Sequence, residues 1–224
     1  MKKIKVVGAG GIGGVLLPTL SRYLAYSPDK EDIVLTVIDG DTYEPRNRER
    51  QSFHRIGNKA EVTVERLKQD FPDISIRACG EFVTQDSAEY LLEGGDTILL
   101  CVDNHKTRKL VSDFCRDMDS VVLISGGNEY TDGNIQVYVR KDGVDMTLPL
   151  ANRFHPEVQM PRDRSPHEIG CGEEALVEPQ LLITNFMIAA LMLNAFWASS
   201  QGILAYCEVY ACIKGNNCRA VVRR

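Results

Sequence analysis

Lys3-Ile4-Lys5-Val6-Val7-Gly8-Ala9-Gly10-Gly11-Ile12-Gly13-Gly14 is the stretch whose reading decides the fold. A short apolar run feeds directly into glycines, after which Val15, Leu16, Leu20 and Leu24 recur at helical spacing. The pattern is strand, glycine turn, helix. Gly8, Gly10 and Gly13 form Gly-X-Gly-X-X-Gly in that context, which lets the backbone approach a phosphate at the positive end of a helix. A site of this kind asks for an acid at the end of the second strand to hold ribose hydroxyls, and Asp39 follows the β-branched run Ile33 to Ile38. NAD, FAD and ATP all satisfy these features.

Outward from this stretch the rhythm repeats. Ala60, Val64, Leu67 and Phe71 mark an amphipathic helix stopped by Pro72, and Ile74-Ser75-Ile76 alternates as a third strand. Thr97 to Val102 is apolar throughout, as a strand buried on both faces is, and Asp103-Asn104 leads into a helix with Leu110, Val111, Phe114 and Cys115 on its apolar side. Val121 to Ile124 reads as a further strand ending at Ser125-Gly126-Gly127, and Ile135 to Val139 as one pairing antiparallel. Residues 149 to 172 hold four prolines, three arginines and two histidines with no apolar period, the signature of a crossover loop. The apolar run Leu181 to Ala198 is interrupted by Thr184, Asn185 and Asn194 and lacks a basic flank, so it is read as a core helix and not a membrane span. Tyr206 to Lys214 and Cys218 to Val222 then form a hairpin around Gly215-Asn216-Asn217. Tyr206, Glu208 and Tyr210 share one face of that pattern, as an edge docking an extended tail or as core and dimer contacts.

These elements predict an α/β fold: a Rossmann-like, mostly parallel sheet with helices on both faces, extended by antiparallel C-terminal strands. A single domain over residues 1–224 is expected, with 1–148 as nucleotide-binding core, 149–172 as crossover loop and 173–224 as helix and terminal hairpin. With 224 residues, 44% of them hydrophobic and 25% charged, the chain has the composition of a globular protein with a sizeable core. Lys and Arg number 26 against 31 Asp and Glu, so the chain lacks the basic excess of a nucleic-acid binder. The seven cysteines are odd in number and scattered, a pattern of reduced thiols. The apolar stretch before the glycines is too short for an export signal, and a cytoplasmic protein is expected.

The segment from Asp39 to Gln51, with Gly57-Asn58-Lys59 at the next helix start, separates the candidate ligands. Hydride transfer has no evident use for Asn47, Arg50 and Lys59 gathered beside phosphates. Nucleotidyl transfer does, because negative charge moves onto a leaving pyrophosphate that fixed cations stabilise. Asp103, just past a buried strand, would supply a carboxylate for magnesium. The alternative is a solvated charged loop with Asp103 capping the following helix.

The order Gly-X-Gly-Gly-X-Gly, Asp39-X-Asp41, Asn47-X-X-Arg50-Gln51, Gly57-Asn58-Lys59 and Asp103-Asn104 to Arg108 resembles the ThiF/MoeB/HesA family, bacterial relatives of ubiquitin-activating enzymes. The resemblance is good over residues 4 to 124 and looser beyond, and small ThiF-like bacterial proteins are the most similar members. It implies ATP-dependent adenylation of the C-terminal glycine carboxylate of a ubiquitin-like or sulfur-carrier protein by a homodimer, without nucleic acid or membrane. By motif, Gly8, Gly10, Gly11 and Gly13 would seat ATP and Asp39 would hold the ribose. Asn47, Arg50 and Lys59 would grip phosphates with Gln51 in support, and Asp103 would bind Mg2+, with Asp41 and Asn104 completing the pattern. The alternatives are an oxidoreductase using NAD or FAD, an enzyme of the same fold activating a small-molecule or tRNA carboxylate, and a non-catalytic scaffold that keeps the fold and binds a partner.

The sequence departs from the family in two ways. It has no Cys-X-X-Cys pair, so no structural zinc tetrad is expected, and His155, His167 and Cys171 are too irregularly spaced to read as a metal set. MoeB-like chains also carry helical segments before the first strand that lend an arginine to the partner. This sequence starts at the strand, which leaves Arg46 or Arg48 as candidates for that role. Cys171, between glycines at the end of the crossover loop, is read either as the nucleophile of a thioester step or as an exposed structural thiol.

Overall fold

The computed structural model describes residues 2–165, 168 and 181–223. Cys171, His167 and the start of the 173–224 segment lie outside the described residues. Five strands run parallel: β1 (Lys2–Val7), β2 (Ile33–Ile38), β3 (Ser75–Cys79), β4 (Thr97–Leu100) and β5 (Val121–Asn128). The sheet continues antiparallel through β6 (Asp132–Lys141), β8 (Glu208–Cys212) and β9 (Asn217–Val221), with the short β7 (Val144–Asp145) also against β6. The spatial order β3-β2-β1-β4-β5-β6-β8-β9 makes one nine-stranded sheet.

Helices cover both faces. On one lie α1 (Gly11–Ala25), α2 (Lys59–Asp70) and α6 (Leu182–Ser200), packing Leu16, Leu20, Val64, Ile188 and Met192 against Val6, Leu35 and Ile124. On the other lie α3 (Gln85–Leu91), α4 (His105–Arg116) and α5 (Pro156–Gln159), which bury Ala88, Val111 and Val158 against Val7, Leu100 and Leu123. α6 is therefore a core helix on its inner side, where Thr184, Asn185, Ile188, Ala189 and Met192 are buried, while Ile183, Phe186 and Trp197 face outward.

Three details differ from the sequence reading. β5 does not stop at Ser125 but runs on through two glycines. A Cβ on Gly126 would stand 2.3 Å from Met192 Sδ and one on Gly127 2.4 Å from the Arg108 guanidinium, so both glycines admit a close neighbour on their own face and make no turn. The stretch from 149 is not structureless, because Leu150 and Val158 are both core residues and α5 packs beside α4. Finally, β8 is paired on both sides, so the outer edge belongs to β9, and Tyr206 precedes β8 and takes a hydrogen bond from Asn194 of α6 at 3.4 Å. Tyr206 therefore does not share a docking face with Glu208 and Tyr210.

The strand order sets where a ligand can sit. The chain moves outward from β1 to β3 and returns to β4 on the far side of β1, so the sheet order reverses between β1 and β4. A crevice opens at the carboxyl ends of the strands on either side of such a reversal.

Candidate functional site

Register places Val7 beside Ile38 on one side and Leu100 on the other, so Gly8, Asp39 and Cys101 leave the sheet at the same level. Gly8 turns with φ +95°, and a Cβ there would stand 2.9 Å from the Cys101 carbonyl oxygen. A Cβ on Gly13 would fall 1.9 Å from the Gly8 carbonyl oxygen, which only glycine allows. α1 starts on Gly10 with no side-chain cap, whereas Asn58 caps α2 through Glu61 N at 3.1 Å and Asn104 caps α4 through Thr107 N at 2.8 Å. The N-terminal amides of α1 are thus left for a ligand, with the positive end of the helix behind them.

Asp39 accepts hydrogen bonds from Ala9 N at 2.6 Å and Asp41 N at 2.9 Å, which ties the end of β2 to the glycine loop. Burial holds its carboxyl above the ordinary value, with Lys59 and the two amides acting the other way. Asp41 is exposed and pairs with the ammonium of Lys59, whose own side chain is nearly buried. Asn58 Nδ2 donates to the Asp39 carbonyl at 2.8 Å and to the Asp41 carbonyl at 3.2 Å, so the loop after β2 and the start of α2 are one unit.

The arginine-rich segment 42–58 is anchored and not a loose solvated loop. Tyr43 and Phe53 stack with ring centres 4.5 Å apart, and with Val62 they form a small core of their own. The Tyr43 hydroxyl donates to the Ala9 carbonyl at 3.1 Å, and Arg48 lies over the Phe53 ring at 4.5 Å. Asn47 Oδ1 accepts from Glu44 N at 2.9 Å and caps the 3-10 turn Pro45–Glu49. Arg50 follows that turn, and its guanidinium has no hydrogen bond or ion pair among the described residues. Gln51 reaches back to the glycine loop, its Nε2 3.8 Å from where a Cβ on Gly10 would stand, with its Oε1 buried and unpartnered.

On the other side of the crevice Asp103 is exposed and its side chain makes no hydrogen bond among the described residues, the cap of α4 being Asn104. Arg108 is buried and donates to the Val102 carbonyl at 2.8 Å and the Gly126 carbonyl at 3.1 Å, bracing the ends of β4 and β5. Burial lowers its pKa, opposed by Asp103 and Asp163. The structure therefore gathers the glycine loop, Asp39, Asp41, Gln51, Lys59, Asp103 and Asn104 around the carboxyl ends of β2, β1 and β4. Tyr43 and Phe53, which hold this arrangement, were not singled out by sequence, and Asn58 was named only as part of Gly57-Asn58-Lys59. The stacked pair carried only the signal of two aromatics in an otherwise polar stretch.

An uncapped helix start, a cradle that admits no Cβ and an acid beside it, at the carboxyl ends of a mostly parallel sheet, define a Rossmann-like protein with a crevice suited to a phosphate-bearing ligand. Residues 1–209 match the ThiF family, and the chain belongs to that family. It is 30% identical over 141 residues to the adenylyltransferase and sulfurtransferase UBA4 of Yarrowia lipolytica, covering 61% of this chain and 33% of that one. It is 31% identical over 128 residues to the SAMP-activating enzyme E1 of Haloferax volcanii, covering 55% and 44%. With the tRNA threonylcarbamoyladenosine dehydratase of Haemophilus influenzae it shares 31% identity over 135 residues, covering 58% and 49%. The chain thus spans less than half the length of these curated relatives. MccB of E. coli, solved with ATP, has the same fold with a TM-score of 0.70 at 15% identity, over 99% of this chain and 63% of MccB.

Proposed function

We propose that this chain is an ATP-dependent adenylyltransferase that activates the C-terminal glycine carboxylate of a ubiquitin-like or sulfur-carrier protein. The observation that carries the reading is the uncapped glycine loop, with Asp39 bound to it and the anchored segment beside it carrying Arg50, whose guanidinium has no partner among the described residues, in a chain of the ThiF family. Hydride transfer gives such a cation no work. The relatives named for adenylyl transfer and for activating SAMP support the same assignment.

In the proposed reaction a carboxylate oxygen of the carrier tail attacks the α-phosphorus of ATP. The bond to the bridging oxygen breaks, and pyrophosphate leaves with the electron pair. The amides at the start of α1 hold phosphate oxygens, Asp39 and Asp41 face the ribose, and Asn47, Arg50 and Lys59 offset the charge gathering on the leaving group. Lys59 has to exchange its Asp41 partner for phosphate, which Arg50 need not do. Among the described residues no group of three His, Cys, Asp or Glu side chains forms a metal centre. Mg2+ needs none, since it is held by one or two carboxylates and substrate phosphates, and the exposed carboxylate of Asp103 fits that donor set. Bound there, Mg2+ would neutralise charge on the phosphates.

A second reading, activation of a tRNA-borne or small-molecule carboxylate, draws support from the similarity to the tRNA dehydratase. Homodimer assembly, cytoplasmic location and passage of the activated carboxyl to Cys171 as a thioester belong to the proposal as well. The first test is calorimetric titration with Mg-ATP and, separately, with NAD. Mg-ATP binding without NAD binding is expected, and uptake of NAD alone would move the chain to the oxidoreductases. For the thioester step, Cys171→Ala is expected to keep adenylation and lose a thiol-sensitive carrier adduct, and an unchanged adduct removes that step.

A further inference from the structure

Asn185 sits near the start of α6 with no solvent exposure, and neither its Nδ2 nor its Oδ1 has a hydrogen-bond partner among the described residues. Leaving both ends of a buried amide unpaired is costly, and an apolar side chain of the same size would avoid the cost. The rest of the inner face of α6 follows that rule with Ile188, Ala189, Met192 and Ala195, and the polar neighbour Thr184 is satisfied by the Tyr130 carbonyl at 2.7 Å. The amide of Asn185 lies against the first residue of α1. A Cβ on Gly11 would stand 2.6 Å from Nδ2 and 3.0 Å from Oδ1. The unsatisfied amide and the uncapped helix start are therefore adjacent, although they come from opposite ends of the sequence.

We propose that Asn185 is a further ligand of the triphosphate, donating from Nδ2 to a phosphate oxygen seated on the amides that open α1. The inference rests on the nucleotide reading of the glycine loop. A turn of the amide about its soft terminal torsion, with a small shift of the loop, brings Nδ2 to the phosphate. Gly11 is then required for a reason separate from the turn: a side chain there would displace the amide.

The test measures Tm and Mg-ATP affinity for wild type, Asn185→Leu and the equal-sized Asn185→Asp, with adenosine as competitor. Asn185→Leu is expected to raise the Tm of the free protein by about 2–4 °C, because an unpaired amide is removed. It is expected to weaken Mg-ATP binding at least about tenfold while adenosine competes as it does for wild type. Asn185→Asp, which turns a negative charge toward the phosphate, is expected to weaken Mg-ATP further with adenosine again unaffected, and it carries the test if Leu does not fit. Wild-type affinity for Mg-ATP in both variants overturns the inference and leaves the nucleotide site standing. Equal losses for ATP and adenosine also overturn it, as the mark of a merely structural residue. A wild-type protein that takes up no Mg-ATP overturns the inference and the proposed function together.

Discussion

Ala9 donates its backbone N–H to Asp39 Oδ2 at 2.6 Å, so the acid at the end of β2 holds the loop that follows β1. The other carboxylate oxygen accepts Asp41 N at 2.9 Å, and an Asn in its place can accept only one of these bonds. Asp39→Asn is expected to cost about 1–3 kcal/mol in urea unfolding near neutral pH. Burial lifts the carboxyl above its ordinary 3.8, so the folded chain keeps this proton to higher pH than the unfolded chain does. Its contribution to stability therefore falls as pH rises from 3.8 through the folded value, then levels off. The Tm advantage of wild type over Asp39→Asn should accordingly shrink from about pH 4 upward. An advantage that grows with pH would show that the two amides outweigh burial.

The Arg50 side chain has no partner among the described residues, so Arg50→Ala should leave stability within about 0.5 kcal/mol. If the guanidinium faces the leaving pyrophosphate, ATP–pyrophosphate exchange falls about 10²–10³-fold in the same variant. A loss of Tm alongside activity would instead assign Arg50 to the scaffold.

Gly13 and Gly14 are neighbours in α1 with opposite tolerance. A Cβ on Gly13 meets the Gly8 carbonyl oxygen at 1.9 Å, whereas one on Gly14 has its nearest neighbour, the Ala9 carbonyl oxygen, at 3.7 Å. Gly13→Ala is expected to lose more than about 4 kcal/mol or fail to fold. Gly14→Ala is expected to gain about 0.5–1 kcal/mol from helix propensity, read by denaturant titration.

Lys5 and Asp96 form a buried pair at 2.7 Å with side-chain exposures of 8% and 0%, and Asp96 also accepts Glu93 N at 2.6 Å. Lys5→Met strands the carboxylate and should cost about 3–5 kcal/mol. The double variant Lys5→Met with Asp96→Leu should recover much of that, and a thermodynamic cycle over the three variants measures the coupling.

Six cysteines lie among the described residues and all are free. Burial pushes the thiols of Cys101 and Cys115 up to about 12, while Cys218 is exposed on the edge strand. Mass spectrometry after brief alkylation should find Cys218 modified and Cys101 and Cys115 protected until denaturant is added. Early labelling of Cys101 would mean that the floor of the glycine loop opens in the native state.

The parallel core was legible because buried strands and amphipathic helices write their periods locally: Ile33 to Ile38 is β2 as its apolar run placed it, and the run Thr97 to Val102 contains β4, which ends two residues earlier at Leu100. The glycine loop and Asp39 were legible for a related reason, since a strand, a turn and a helix in succession leave few geometries. The continuation of β5 through Gly126 and Gly127 was not legible, because the reason for glycine at both positions shows only once Met192 and Arg108 are in place.

By itself the sequence determined the strands of the parallel core and the helices α1, α2, α4 and α6, the family motifs and the residue types that phosphate chemistry needs, but not α3, α5 or β7. Tertiary structure alone decided that Asn104 and not Asp103 caps α4, that Lys59 is engaged by Asp41 while Arg50 has no partner among the described residues, and that Asn185 lies against Gly11. The physical reason is that propensity and periodicity act over a few residues. Pairing and desolvation depend instead on which distant groups the sheet order brings within hydrogen-bond reach.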